Sequence, residues 1–130
     1  MGDQSLHVLL ERQADALVLT VVGEVDLYSV PVLSAAALDA LQTLQQAGSQ
    51  GRDEDRPCLV LDLEAVSFMD SAGLGVLVGV LRRAKQQGVT FSLVAPQAAV
   101  MSLLHITGLT GVMPIWDDVA AAMAHCQRKA

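Results

Sequence analysis

The residues with the clearest capacity for chemistry form the run Asp70-Ser71-Ala72-Gly73-Leu74-Gly75, where a strand-like apolar segment, Cys58 to Leu63 and its continuation, gives way to a helix-like one. A hydroxyl at such a junction faces unpaired backbone N–H groups and the positive end of a helix dipole, a setting that stabilises an anion. Ser71 is therefore suited to carry a phosphate. Asp70 adds like charge beside it, so the helix would hold the phosphate while its neighbour repelled it. Either Asp70 or Ser71 can cap the helix, since both residue types are favoured there.

Catalysis by Ser71 itself finds no support in the motifs. Met69 stands where a Gly-x-Ser-x-Gly elbow needs its first glycine, and no His is placed by motif to act as a base. Gly73-x-Gly75 is too short for a dinucleotide fingerprint and lacks the third glycine. There is no phosphate-cradling Lys. His7, His105 and His125 are scattered without metal-ligand spacing, so neither a metal nor a cofactor is expected. Cys58 and Cys126 lie far apart and outside any Cys-x-x-Cys pair; in a chain without an export signal they read as reduced, small apolar residues. Gly73 and Gly75 each cost about 1 kcal/mol relative to Ala in a helix interior, which points to close approach of a partner or a neighbouring element. Phe68 and Met69 read either as core or as the apolar part of a docking surface.

The elements that must hold this junction follow from periodicity. Leu6 to Arg12 and Ala16 to Val22 read as strands of a hairpin joined at Gln13-Ala14-Asp15. The second is apolar on both faces, as a central strand should be. Gly23 to Leu27 is a loop, followed by a helix from about Val30 to Ala47 with Ser29 as N-cap and the stripe Leu33, Ala37, Leu38, Leu41 and Leu44. Gly48 to Pro57 is polar and charged and reads as a solvated loop inside one domain. Cys58 to Leu63 is a buried strand. The helix from near Ser71 carries Leu74, Leu77, Val78, Leu81 and Ala84 on one face and stops at Gly88. A strand at Val89 to Ala95, a short helix at Ala98 to Thr107, an edge strand at Val112 to Trp116 and a helix at Val119 to Arg128, capped by Asp117 or Asp118, complete the chain. Trp116 is expected to pack at the sheet end. This order predicts an α/β domain: a mixed, mostly parallel sheet of about five strands with about four helices packed against it. In such sheets functional groups gather where strands meet helix N-termini, which draws attention to the two junctions Gly23 to Leu27 and Met69 to Gly75.

Three segments in order carry a resemblance: Gly23-Glu24-Val25-Asp26-Leu27, the strand with Asp70-Ser71-Ala72-Gly73-Leu74-Gly75, and Ile106-Thr107-Gly108-Leu109. Together they resemble the anti-sigma factor antagonists built on the STAS domain, over about residues 6–123 of a single domain spanning 1–130. Ala72 departs from the many members with a second Ser, leaving Ser71 as the one hydroxyl for modification. The resemblance implies a binding protein, not an enzyme. An anti-sigma factor with serine kinase activity would dock on a surface of Glu24, Asp26, Met69, Asp70, Ser71, Ala72, Gly73, Leu74 and Gly75 and phosphorylate Ser71; a phosphatase would reverse this. The unphosphorylated domain would sequester the anti-sigma factor and release a sigma factor. The alternative is a STAS interaction subunit of another assembly, a lipid-transport ABC complex or a stress-signalling scaffold, without phosphoswitching.

Composition agrees. The 130 residues are 52% hydrophobic, enough for a core, and carry 8 basic and 14 acidic residues, a net charge of −6. Nucleic-acid binding needs clustered Lys and Arg, which are lacking. No run approaches a membrane span and the N-terminus has no secretory pattern; Leu6 also occupies the place where myristoylation wants Ser or Thr. A cytoplasmic protein is expected.

Overall fold

The computed structural model describes residues 6–13, 16–48 and 57–127. Strands β1 (His7–Gln13) and β2 (Ala16–Val25) come first, then helix α1 (Val30–Gly48), β3 (Cys58–Met69), α2 (Ser71–Gln87), β4 (Thr90–Val94), α3 (Ala98–Ile106), a 3-10 turn (Leu109–Gly111), β5 (Ile115–Trp116) and α4 (Val119–Gln127). The sheet runs in the order β1-β2-β3-β4-β5. β1 is antiparallel to β2 and every other pair is parallel. The expected mixed, mostly parallel sheet with four helices is thus what the chain builds. The turn residues 14 and 15, most of the loop read at 48–57, and Arg128 lie outside the described residues.

Alternation along the central strands explains the layers. Leu17, Leu19 and Val21 of β2 and Leu59, Leu61 and Leu63 of β3 point to one face, where Leu33, Ala37, Leu41 and Leu44 of α1 and Leu74, Leu77, Val80 and Ala84 of α2 meet them. Val100 and Leu104 of α3 join the same core. Val18, Val60 and Val94 point to the opposite face, which α4 covers through Ala122, Val119 and the neighbouring Trp116. Fully burying one such Leu contributes about 1.5–3 kcal/mol, so the two-sided burial of β2 and β3 is the main source of stability.

Three boundaries differ from the periodicity reading. β3 extends six residues past Leu63 to Met69, because Ala65, Val66, Phe68 and Met69 keep pairing with Val22, Gly23, Glu24 and Val25 through register shifts. For the same reason Gly23 to Val25 are strand rather than loop, and Gly23 adopts φ 124° at one of these irregularities. β5 is only Ile115–Trp116, since the amides of Val112 and Met113 turn back to the Leu109 carbonyl instead of joining the sheet. The helix stripes are also rotated slightly. Val80 rather than Val78 or Leu81 is buried on α2, and Ala40 rather than Leu38 on α1.

Candidate functional site

Asp70 organises the junction. It is the N-cap of α2, in extended conformation, and Ser71 is the first helical residue. The Asp70 Oδ1 atom accepts from the amides of Ala72 at 2.9 Å and Gly73 at 3.2 Å, while Oδ2 accepts from the Leu27 amide at 3.2 Å. The Asp70 amide donates to the Val25 carbonyl at 3.1 Å, and its own carbonyl accepts from the Leu74 amide at 3.1 Å. One residue therefore ties the end of β2 and the turn after it to the start of α2. The two junctions singled out in the sequence are one place.

The turn between β2 and α1 is built by Asp26 and Ser29. Asp26 Oδ1 accepts from the amides of Tyr28 and Ser29, both at 3.0 Å, an Asx-type turn. The Ser29 hydroxyl accepts from the Asp26 amide at 2.9 Å and donates to the Glu24 carbonyl at 2.8 Å. Ser29 thus braces the turn ahead of α1. Asp118, rather than Asp117, caps α4, its Oδ1 accepting from the Ala121 amide at 2.8 Å.

The burial of the candidate docking residues sorts them. Ser71 and Gly75 are exposed; Glu24, Asp26, Asp70 and Ala72 are half-buried; Met69, Gly73 and Leu74 are buried. Met69 therefore supports the surface from beneath. A Cβ on Gly73 would lie 2.6 Å from Met69 Cγ and 2.8 Å from Val25 Cγ1, so the first turn of α2 rests directly on the ends of β2 and β3. Nothing lies within 4 Å of a Cβ on Gly75. The two glycines thus separate the alternatives left by the sequence: Gly73 admits a neighbouring element, and Gly75 faces open space. Ala72 and Gly75 also floor a groove of about 370 Å³ between α1 and α2, which Ser34, Leu38 and Arg83 help to wall.

Three large apolar residues on the segments that meet at this junction have no core to fill. Tyr28 is 90% exposed, Leu27 66% and Phe68 47%. Leu27 and Tyr28 were absent from the sequence-derived set, although two large apolar residues in a turn between Asp26 and Ser29, outside any periodic stripe, were the signal available. They share these segments with the half-buried acidic residues Glu24, Asp26 and Asp70.

The glycines yield opposed expectations. Gly73→Ala gains about 1 kcal/mol of helix propensity but overpacks a buried contact at a cost of about 1–3 kcal/mol, for a net loss near 1 kcal/mol. Gly75→Ala gains the propensity without the clash, and its melting temperature should rise. Thermal melts of the two variants check this, and a Gly73→Ala protein as stable as Gly75→Ala would contradict the contact.

The chain is thus an α/β domain of this strand order with an exposed serine at the mouth of α2, next to the helix-capping Asp70. Residues 7–122 match the STAS domain family, and the chain belongs to it. It is 32% identical to the anti-sigma-B factor antagonist of Bacillus subtilis (strain 168) over 111 residues, covering 85% of this chain and 91% of that protein. With the anti-sigma F factor antagonist of Paenibacillus polymyxa it shares 27% identity over 95% of this chain and 97% of the other. The crystal structure of an anti-sigma factor antagonist from Mycobacterium paratuberculosis superposes with a TM-score of 0.81, at 26% identity and 98% coverage of both chains. Among the described residues no helix is long and apolar enough to cross a membrane.

Proposed function

We propose that this protein is an anti-sigma factor antagonist: it binds an anti-sigma factor through the surface around Ser71, frees the sigma factor, and is switched off when that partner, acting as a serine kinase, phosphorylates Ser71. Its antagonist relatives support the partner class. The observation that carries the switch is local. Ser71 is exposed on the first turn of α2, while the amides of Ala72 and Gly73 are already occupied by the Asp70 carboxylate. A phosphate added there projects toward a docking partner instead of being absorbed by the helix end. Glu24, Asp26, Asp70 and Ala72 flank it, Leu74 and Met69 hold the turn in place, and a phosphatase returns the hydroxyl. The chain acts in the cytoplasm, where sigma and anti-sigma factors operate, as a binding protein rather than an enzyme.

The experiment is to incubate the full chain with its cognate anti-sigma factor and Mg-ATP, then map the modification by mass spectrometry. One phosphate on Ser71, lost in Ser71→Ala, is expected. ATP alone should add none, because the site offers no phosphate-binding loop. A phosphate that persists in Ser71→Ala overturns the assignment. Co-purification with transporter subunits in place of an anti-sigma factor would mean that the domain serves another assembly.

A further inference from the structure

Cys58 and Cys126, expected from the sequence to be separate thiols, are joined in a disulfide with Cα atoms 6.1 Å apart and a sequence separation of 68. That Cα separation falls within the ordinary disulfide range. Cys58 opens β3 and is 1% exposed; Cys126 lies in the last turn of α4 and is 9% exposed. With Ala16 and the adjoining Met123 they form a small apolar cluster separate from the two others. Their position on α4 is what gives the pair a role. Ala122 and Cys126 are the buried residues among the described side chains of this helix, with Val119 and Met123 only partly buried beside them, so the cysteine is one of its two deepest anchors on the sheet. The cross-link holds the end of α4 opposite its Asp118 cap.

We propose that Cys58 and Cys126 are a thiol–disulfide exchange site whose oxidant is a low-molecular-weight disulfide and whose reductant is the corresponding thiol, and that its state decides how firmly α4 is seated on the sheet. In the oxidising direction the more accessible Cys126 loses its proton, and its thiolate attacks one sulfur of the small disulfide. The old S–S bond breaks, a mixed disulfide forms on Cys126, and the first small thiolate leaves. The Cys58 thiolate then attacks the Cys126 sulfur and expels the second. Two protein thiols are oxidised to one disulfide, one small disulfide is reduced to two thiols, and the two cysteine protons end on them. The reverse sequence frees α4 and uncovers Val18, Val60 and Val94. The site lies at the opposite end of β3 from Ser71, roughly 35 Å along a strand of this length, so it acts on α4 and not on the docking surface.

The chain contains its own reporter. Trp116, the one Trp in the sequence, lies against His125 of α4 with ring centroids 4.9 Å apart and the rings tilted by 37°. The test equilibrates the full protein in buffers of reduced and oxidised glutathione, counts thiols by alkylation and mass, and follows Trp116 emission and amide hydrogen exchange of residues 119–127. The expected result is loss of both thiols together, with exchange in α4 at least tenfold slower in the oxidised protein and the Trp116 emission shifted to the blue. The double variant Cys58→Ser/Cys126→Ser should exchange at the reduced rate and ignore the buffer. If that variant folds poorly, the two states of the wild-type chain still decide the matter. Accumulation of glutathionylated protein without the internal disulfide would overturn the exchange site. A disulfide that forms while α4 exchanges at one unchanged rate would overturn its control of the helix.

Discussion

Ser71→Asp should weaken binding of the anti-sigma factor at least tenfold, about 1.4 kcal/mol, while leaving the melting temperature within a degree or two of wild type. The two halves of this expectation have different causes. Stability is spared because Ser71 is exposed and first in α2, where a carboxylate interacts favourably with the helix dipole and displaces no buried group. Binding suffers because the new charge is placed directly beside Asp70, at the junction that also holds the Asp26 turn, on a chain of net charge −6. The Asp70 carboxylate occupies the Ala72 and Gly73 amides, so those donors do not neutralise it. A partner that covers Leu27, Tyr28 and Phe68 must strip water from this cluster, and an added unpaired charge there is penalised by desolvation and by any acidic group facing it. The charge component should shrink as salt rises, since the Debye length falls from about 10 Å at 0.1 M to about 3 Å at 1 M. Calorimetric titration of the partner with wild type, Ser71→Ala and Ser71→Asp, beside thermal melts, separates the effects. Equal affinities would remove the switch; a collapsed melting temperature would assign lost binding to unfolding.

Much of the architecture was legible because β2, β3 and β4 are apolar on both faces and the helices carry clean stripes; burial on two sides leaves a signal that a single sequence retains. The continuation of β3 to Met69 was not. Glu64, Ala65, Ser67 and Phe68 are exposed, and only pairing with β2, invisible in local pattern, keeps this stretch extended. The same pairing brings Glu24 opposite Phe68 and Val25 opposite Met69, so that Asp26 directly follows the residue whose carbonyl receives the Asp70 amide. Adjacency of the two junctions was therefore foreseeable only from the resemblance. Ser71 and Asp70 could be found from residue type and position, but which one capped the helix depended on extended backbone geometry at Asp70. Met69 and Gly73 illustrate a different limit: they are buried beneath the candidate surface, and sequence does not distinguish floor from surface. The cysteine pair escaped because two residues 68 positions apart meet only through packing of α4 on the start of β3.

Asp70→Ala should cost about 2 kcal/mol of stability, the sum of a lost N-cap, about 1 kcal/mol, and a lost bond to the Leu27 amide of similar size. For a domain near this length that corresponds to a fall in melting temperature of roughly 6–10 °C. Loss of the cap frees the amides of Ala72 and Gly73, and loss of Oδ2 unties the turn that presents Leu27 and Tyr28. Hydrogen exchange should accordingly quicken at Leu27 as well as in the first turn of α2, two segments 43 residues apart in sequence. Asp70→Asn separates charge from hydrogen bonding. Its single amide oxygen can cap the helix, but the amide nitrogen then faces the Leu27 N–H, donor against donor, so about half the loss should remain. Its first-turn exchange should stay slow while Leu27 exchanges fast. If Asp70→Ala accelerates α2 and leaves Leu27 untouched, the carboxylate is a helix cap alone, and the docking surface must be held together by Asp26 and Ser29 without help from α2.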